Sequence, residues 1–218
     1  YELINELANR LGLTVEWTEE VNFTTMSEAL KNNHFDSICF SLYRDSPRAS
    51  WTEMTAPIFF SGHGVFVREK DDRFSGQDFS VFNSPNITIA GVDGELSSVL
   101  ARRDYPKAKL ITLPQTTSPA ELLMMLTTQK ADVVFVNVNS ATLFAKAHPG
   151  LIKNLDATHP IAFFSHGFAF NKGEIELKNM FDIVFEEMQN QGFVKKILEK
   201  YQPAPGGYLA VAKPYAPL

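Results

Sequence analysis

Three groups of residues in this chain could do chemistry. Arg48 follows an apolar run at 36–42 (DSICFSL) and sits in the polar stretch YRDSPR. Its guanidinium is a planar fork of donors that matches a carboxylate bidentately, so a small carboxylate-bearing molecule is what it would hold. An arginine on an exposed polar loop is the plain alternative. Glu95 follows Gly94 at the head of a helical pattern, where a carboxyl can serve as a general acid or simply favour the positive end of the helix. His63 and His166 occur in two nearly identical stretches, FFSGHGVF (59–66) and FFSHGFAF (163–170). If these are neighbouring strands the two rings could meet, but a lone strand histidine is ordinarily structural.

Other chemistry is not indicated. The five histidines (34, 63, 148, 159, 166) form no ligand-spaced pairs, and Cys39 is the single cysteine, so neither an internal disulfide nor a cysteine metal cluster can be built. No GxSxG, HExxH, Walker loop or GxGxxG occurs, and GVDGEL (91–96) lacks the lysine of a phosphate loop. The expectation is binding rather than catalysis, with no cofactor and no metal.

Several elements must position these residues. Leu3, Ile4, Leu7 and Leu11 recur at helical spacing and Gly12 stops the run. Leu13, Val15 and Trp17 alternate as a strand would. Thr25–Glu28 and Ser118–Glu121 each read as a capping box, the second with Pro119 at the first helical position. Buried strands are expected at 36–42, 87–91, 108–112 and 132–138, and a long amphipathic helix runs through Ile175–Met188. Strands alternating with helices, and apolar on both faces, indicate an α/β fold with mainly parallel sheets. Leu30-x5-Asp36 before SICF is echoed by Leu126-x5-Asp132 before VVFV, which suggests two similar lobes. The polar segment 69–86 reads as the connection between them.

With 218 residues, 44% hydrophobic and 21% charged, the chain is of ordinary globular composition. Its net charge of −5 and lack of a basic run speak against a nucleic-acid partner. No apolar stretch approaches the roughly 18 residues of a membrane span.

The order of segments resembles a known family. YELINELANRLGLTVEW, MSEALKNNHFDSICFSLYRDSPRASWTEMTAPIFFSG, ITIAGVDGELSSVLA, QKADVVFVNVNSATL and ELKNMFDIVFEEMQNQGFVKKILEKY follow one another as in the family 3 periplasmic (extracellular) solute-binding proteins, the amino-acid-type receptors of ABC importers. Arg48 and Pro57 occupy the family's "eR…dP" positions. The resemblance implies a type II two-lobe fold, each lobe a mainly parallel sheet flanked by helices, joined by two crossing segments. Lobe 1 would be 1–83 plus 165–201 and lobe 2 would be 84–164, with 202–218 a Pro/Gly-containing tail. Both FF segments would then lie in lobe 1, with Phe66 in contact with Phe168 or Phe170. The family's opening strand has no counterpart here, which suggests either a trimmed start with a signal peptide removed or a diverged member.

The resemblance also implies a site. Arg48 would clamp a ligand carboxylate. Phe40, Ser41 and Tyr43 would contact ligand at the same strand end, and Phe23 would stack on its side chain or, alternatively, staple the helix that follows. Gly94 would precede a helix N-terminus that binds an anion, with Glu95 where Ser or Thr is usual. Asn137 stands where the family has an acid for the α-ammonium, and its neutrality suits a carboxylate without a conventional ammonium. The expected function is an extracytoplasmic (periplasmic or extracellular) receptor that closes around a small carboxylate-bearing ligand and serves the membrane permease of an ABC importer as a monomer. A ligand-sensing domain of a membrane kinase or cyclase is the alternative, and a cyclohexadienyl-type dehydratase using Glu95 is a further one.

Overall fold

The structure is a computed structural model, and it describes residues 1–21, 25–74, 78–203 and 207–212. Contacts divide the chain into two compact units, residues 1–61 with 164–218 and residues 62–163. The second boundary falls one residue before the expected 164/165. The first falls well ahead of the expected 83/84, because the segment read as a linker is not one. Phe74 and Phe82 are buried with Val65, Ile89, Leu100 and Phe135 in the core of the second unit. Phe82 closes a short 3-10 turn at Phe79–Phe82, where Asp78 accepts a hydrogen bond from the Ser80 amide. Polar composition hid two anchoring aromatics.

Unit 1 opens with α1 (Glu2–Leu11), which buries Ile4, Leu7 and Ala8 and ends at Gly12 in the left-handed conformation, φ 67°. Only glycine adopts that angle without steric cost, so the stop read from the sequence is real. Residues 13–20 have no regular secondary structure. The strand expected from Leu13, Val15 and Trp17 is absent because alternation needs a hydrogen-bonded neighbour, and none pairs with it among the described residues. Helix α2 (Met26–Lys31) follows, with Thr25 at its N-cap in helical backbone geometry. The expected capping box requires an extended N-cap, so it does not form in that manner.

Next come β1 (Ser37–Tyr43), the short α3 (Ser46–Ala49), β2 (Thr52–Met54) and β3 (Phe59–Arg68). Strand β8 (Ala162–Asn171) returns to unit 1 and pairs antiparallel with β1 and β2. Helices α7 (Ile175–Asn190) and α8 (Phe193–Tyr201) then pack on α1 and on each other. Their apolar faces bury Phe181, Val184, Phe185, Met188, Val194 and Leu198 against Ile58, Phe59, Phe168 and Phe170. The tail contributes β9 (Tyr208–Ala210), which adds to Phe59–Ser61 of β3.

Unit 2 holds β4 (Thr88–Val92), α4 (Leu96–Asp104), β5 (Lys109–Leu113), α5 (Pro119–Thr127), β6 (Val133–Asn137), α6 (Val138–Ala147) and β7 (Ile152–Asn154). β4 lies between β5 and β6, parallel to both. β6 and β7 pair antiparallel with the later residues of β3. Ala90, Val134, Val136, Leu123 and Leu126 fill one core layer, and Ile89, Val133 and Phe135 face the other. The second capping box forms as read: Ser118 Oγ accepts from the Glu121 amide at 3.2 Å, and the Ser118 amide donates to Glu121 Oε2 at 2.7 Å.

The repeated FF segments do meet, though not as expected. The Ile58 amide donates to the His166 carbonyl at 2.9 Å, and Phe59 and Phe168 share the unit 1 core. Phe66, however, belongs to the unit 2 core with Val134 and Val136, not with Phe168 or Phe170. A ten-residue strand rises about 33 Å, so its end lies far from its antiparallel neighbour's.

Candidate functional site

In unit 1 the candidate residues gather where β1 ends and α3 begins. The register between β1 and β8 slips between Ile38 and Leu42 and resumes with Leu42 opposite Gly167 and Tyr43 opposite His166. Such an irregularity re-aims the side chains next to it. The Tyr43 ring packs on Phe164 at 5.4 Å and on His166 at 4.8 Å. His166 is stacked on Phe59, with centroids 4.4 Å apart and planes 9° from parallel, and its Nε2 is 2.7 Å from Ser61 Oγ. Ser61 and His166 are both buried. A wall of aromatic rings therefore backs Tyr43, which fixes its orientation.

Arg48 lies on α3 immediately beyond. Asp45 caps this helix, accepting a hydrogen bond from the Arg48 amide at 2.9 Å, while its second oxygen forms an ion pair with Arg48 Nη1. The Arg48 side chain is 13% exposed and that of Asp45 33%. The guanidinium is thus held in place, and it is held by an acid. Sequence reasoning overlooked Asp45, although Asp-Ser-Pro is an N-cap followed by a proline-bearing first turn.

Phe40 is exposed and lines a different feature, a cavity of about 1140 Å³ inside unit 1. Leu3, Val15, Trp17, Cys39 and Tyr201 also border it, and neither Tyr43 nor Arg48 does. The cavity runs beside β1, which is an edge strand. Burial pushes the Cys39 thiol up, so it carries little thiolate. Phe23 and the Ser41 side chain lie outside the described residues.

In unit 2 the candidates stand at the carboxyl ends of parallel strands, the usual ligand end of such sheets. Gly94 has φ +70°, and Glu95 is the N-cap residue of α4, its side chain making no cap hydrogen bond. The turn is locked from below: Ser97 Oγ accepts from the Val92 amide at 3.0 Å, and Ser98 Oγ donates to the Val92 carbonyl at 2.6 Å. At the end of β6, Asn137 caps α6, its Oδ1 accepting from the Asn139 amide at 2.9 Å. Because β4 and β6 are adjacent and parallel, the Gly94–Glu95 turn and Asn137 share one sheet end. His63 lies opposite Asn137 in register within unit 2, whereas His166 belongs to unit 1. Among the described residues no three His, Cys, Asp or Glu side chains are grouped to hold a metal.

A family model, that of the bacterial extracellular solute-binding proteins, family 3, matches residues 1–204. The chain belongs to this family. A protein of Wolinella succinogenes, described as a putative binding component of an ABC transporter complexed with lysine, is similar in fold (TM-score 0.79) at 18% identity, over 94% of this chain and 85% of that one. The periplasmic VFT2 domain of Bordetella pertussis BvgS is similar with a TM-score of 0.76 at 21% identity, over 92% and 81%. At these identities the likeness establishes the fold, a type II two-lobe α/β architecture, and no more. Among curated relatives, the membrane-bound lytic murein transglycosylase F of Salmonella typhi is 24% identical over 210 residues, covering 92% of this chain and 42% of that protein. The chain therefore spans less than half the length of that relative. No described helix is long and apolar enough to cross a membrane.

Proposed function

We propose that this family 3 domain is an extracytoplasmic receptor for a small amino-acid-type ligand, whose carboxylate docks on Arg48. The observation that carries this is the placement of Arg48: a largely buried guanidinium, fixed by Asp45, on the helix that follows β1, whose last residue, Tyr43, packs on Phe164 and His166. Membership of the family supports solute binding, and the lysine complex of the Wolinella protein supports the ligand class. Delivery to the permease of an ABC importer, as a monomer, is the corresponding role. Binding without turnover is the activity, and Glu95 needs no catalytic part.

A second reading is favoured by the transglycosylase and BvgS matches, in which a domain of this fold is part of a larger protein. There the domain would sense its ligand and report occupancy by a shift of population toward the bound form. Both readings require the same binding event. A thermal-shift screen over amino acids, amines and small organic acids tests it, since a ligand at 100 times its dissociation constant stabilises by about 2.7 kcal/mol. A panel with no stabilising member would contradict both.

A further inference from the structure

We propose that Asp45 sets the charge of the ligand, restricting the Arg48 site to molecules that carry a cation beside their carboxylate. This rests on the reading of Arg48 as a carboxylate clamp and names the ligand class more narrowly. Arg48 Nη1 is ion-paired with the Asp45 carboxylate, and the Asp45 side chain is also tied to the Arg48 amide. The two oxygens of Asp45 thus hold both ends of the residue that would receive the ligand. An incoming carboxylate must share the guanidinium with an existing anion.

The charges decide which ligands tolerate this. Two like charges held close together near a protein surface repel each other, so a plain organic acid placed on Arg48 meets a neighbour that opposes it. A zwitterion or a cationic amino acid removes the conflict, because its ammonium can pair with Asp45 while its carboxylate pairs with Arg48. One internal ion pair is exchanged for two intermolecular ones, and no carboxylate is left facing another.

The test uses glycine and acetate, which differ by a single ammonium group, and the Arg48 Nε–H signal in NMR titrations, assigned by its loss in Arg48→Lys. Asp45→Asn removes the charge and keeps a good N-cap, so α3 is retained. A retained Ala49 amide resonance, whose N–H donates to the Asp45 backbone carbonyl at 3.0 Å, checks this, and Asp45→Ser supplies a second neutral cap. In the parent, glycine should perturb the Arg48 signal at lower concentration than acetate. In Asp45→Asn, acetate should bind roughly tenfold more tightly than in the parent, and the preference for glycine should vanish. Acetate binding equally to the parent and the Asn variant would overturn the proposal. So would an Arg48 signal that acetate leaves unmoved in both neutral-cap variants. If Asp45→Asn changes nothing while Arg48→Ala abolishes binding of a screened amino acid, Asp45 has no such role and the clamp stands. If Arg48→Ala binds normally, the clamp itself is wrong.

Discussion

Asp71 and Asp132 show how single carboxylates hold unit 2 together. Arg73 donates to Asp71 at 2.9 and 2.7 Å, and Arg68 reaches Asp71 at 2.7 Å and Asp132 at 3.0 Å. Arg73, ahead of Arg68, brings the Asp71 carboxyl down to about 2. Burial pushes Asp132 up, but bonds from Arg73, the Thr88 amide and Arg68 outweigh it and hold the group below its ordinary value. A carboxylate lowered by folding stabilises above its unfolded pKa, here near 3.8, and that contribution drains away as pH falls toward 2. Asp71→Asn should therefore cost on the order of 2 kcal/mol at pH 7 and progressively less below pH 4, by urea denaturation across pH. A pH-independent cost would show that the loss is one of packing. In the sequence Asp132 is only half of an echo, Leu126-x5-Asp132 against Leu30-x5-Asp36. Its counterpart Asp36 is exposed, so the echo marks two similar helix-to-strand joins and not two equal roles. Arg48 stood out through the family's "eR…dP" order, since the residue by itself reads as an arginine on an exposed polar loop. Asp45 did not, because an N-cap aspartate gives no sign of its ion pair until the guanidinium beside it is seen.

At the scale of elements, local signals succeeded where the backbone closes its own hydrogen bonds. The Ser118 box is such a case, and Ser118→Ala should lower stability by about 1 kcal/mol, with chemical denaturation as the check; an unchanged midpoint would mean that Glu121 alone suffices. Leu13–Trp17 failed for the opposite reason: a strand depends on a neighbour that a one-dimensional pattern does not reveal. Packing of α4 on β4 was also invisible. A methyl group on Gly91 would come within 2.8 Å of the Ser98 amide nitrogen, so only glycine lets the helix start sit this close to the strand. Gly91→Ala should cost about 1–3 kcal/mol and displace the Gly94–Glu95 turn. Amide shifts at residues 94–98 that stay at their parental positions would contradict that close contact.

For the whole molecule, the family and its two-unit organisation could be read from the order of segments, while the first unit boundary could not. A polar, Gly-containing stretch was indistinguishable from a linker until Phe74 and Phe82 were found in the unit 2 core. The pairing of Asp45 with the Arg48 guanidinium is likewise a matter of side-chain placement that spacing along the chain does not report. The central claim is that Arg48 receives a ligand carboxylate. Isothermal titration of the parent and of Arg48→Ala, with the amino acid that gives the largest thermal shift, tests this most directly. Removing the guanidinium leaves a desolvated anion without its partner, so Arg48→Ala should lose about 2–5 kcal/mol of binding free energy, and Arg48→Lys should recover only part because a point charge cannot reproduce the fork. Arg48→Ala binding as tightly as the parent would contradict the account.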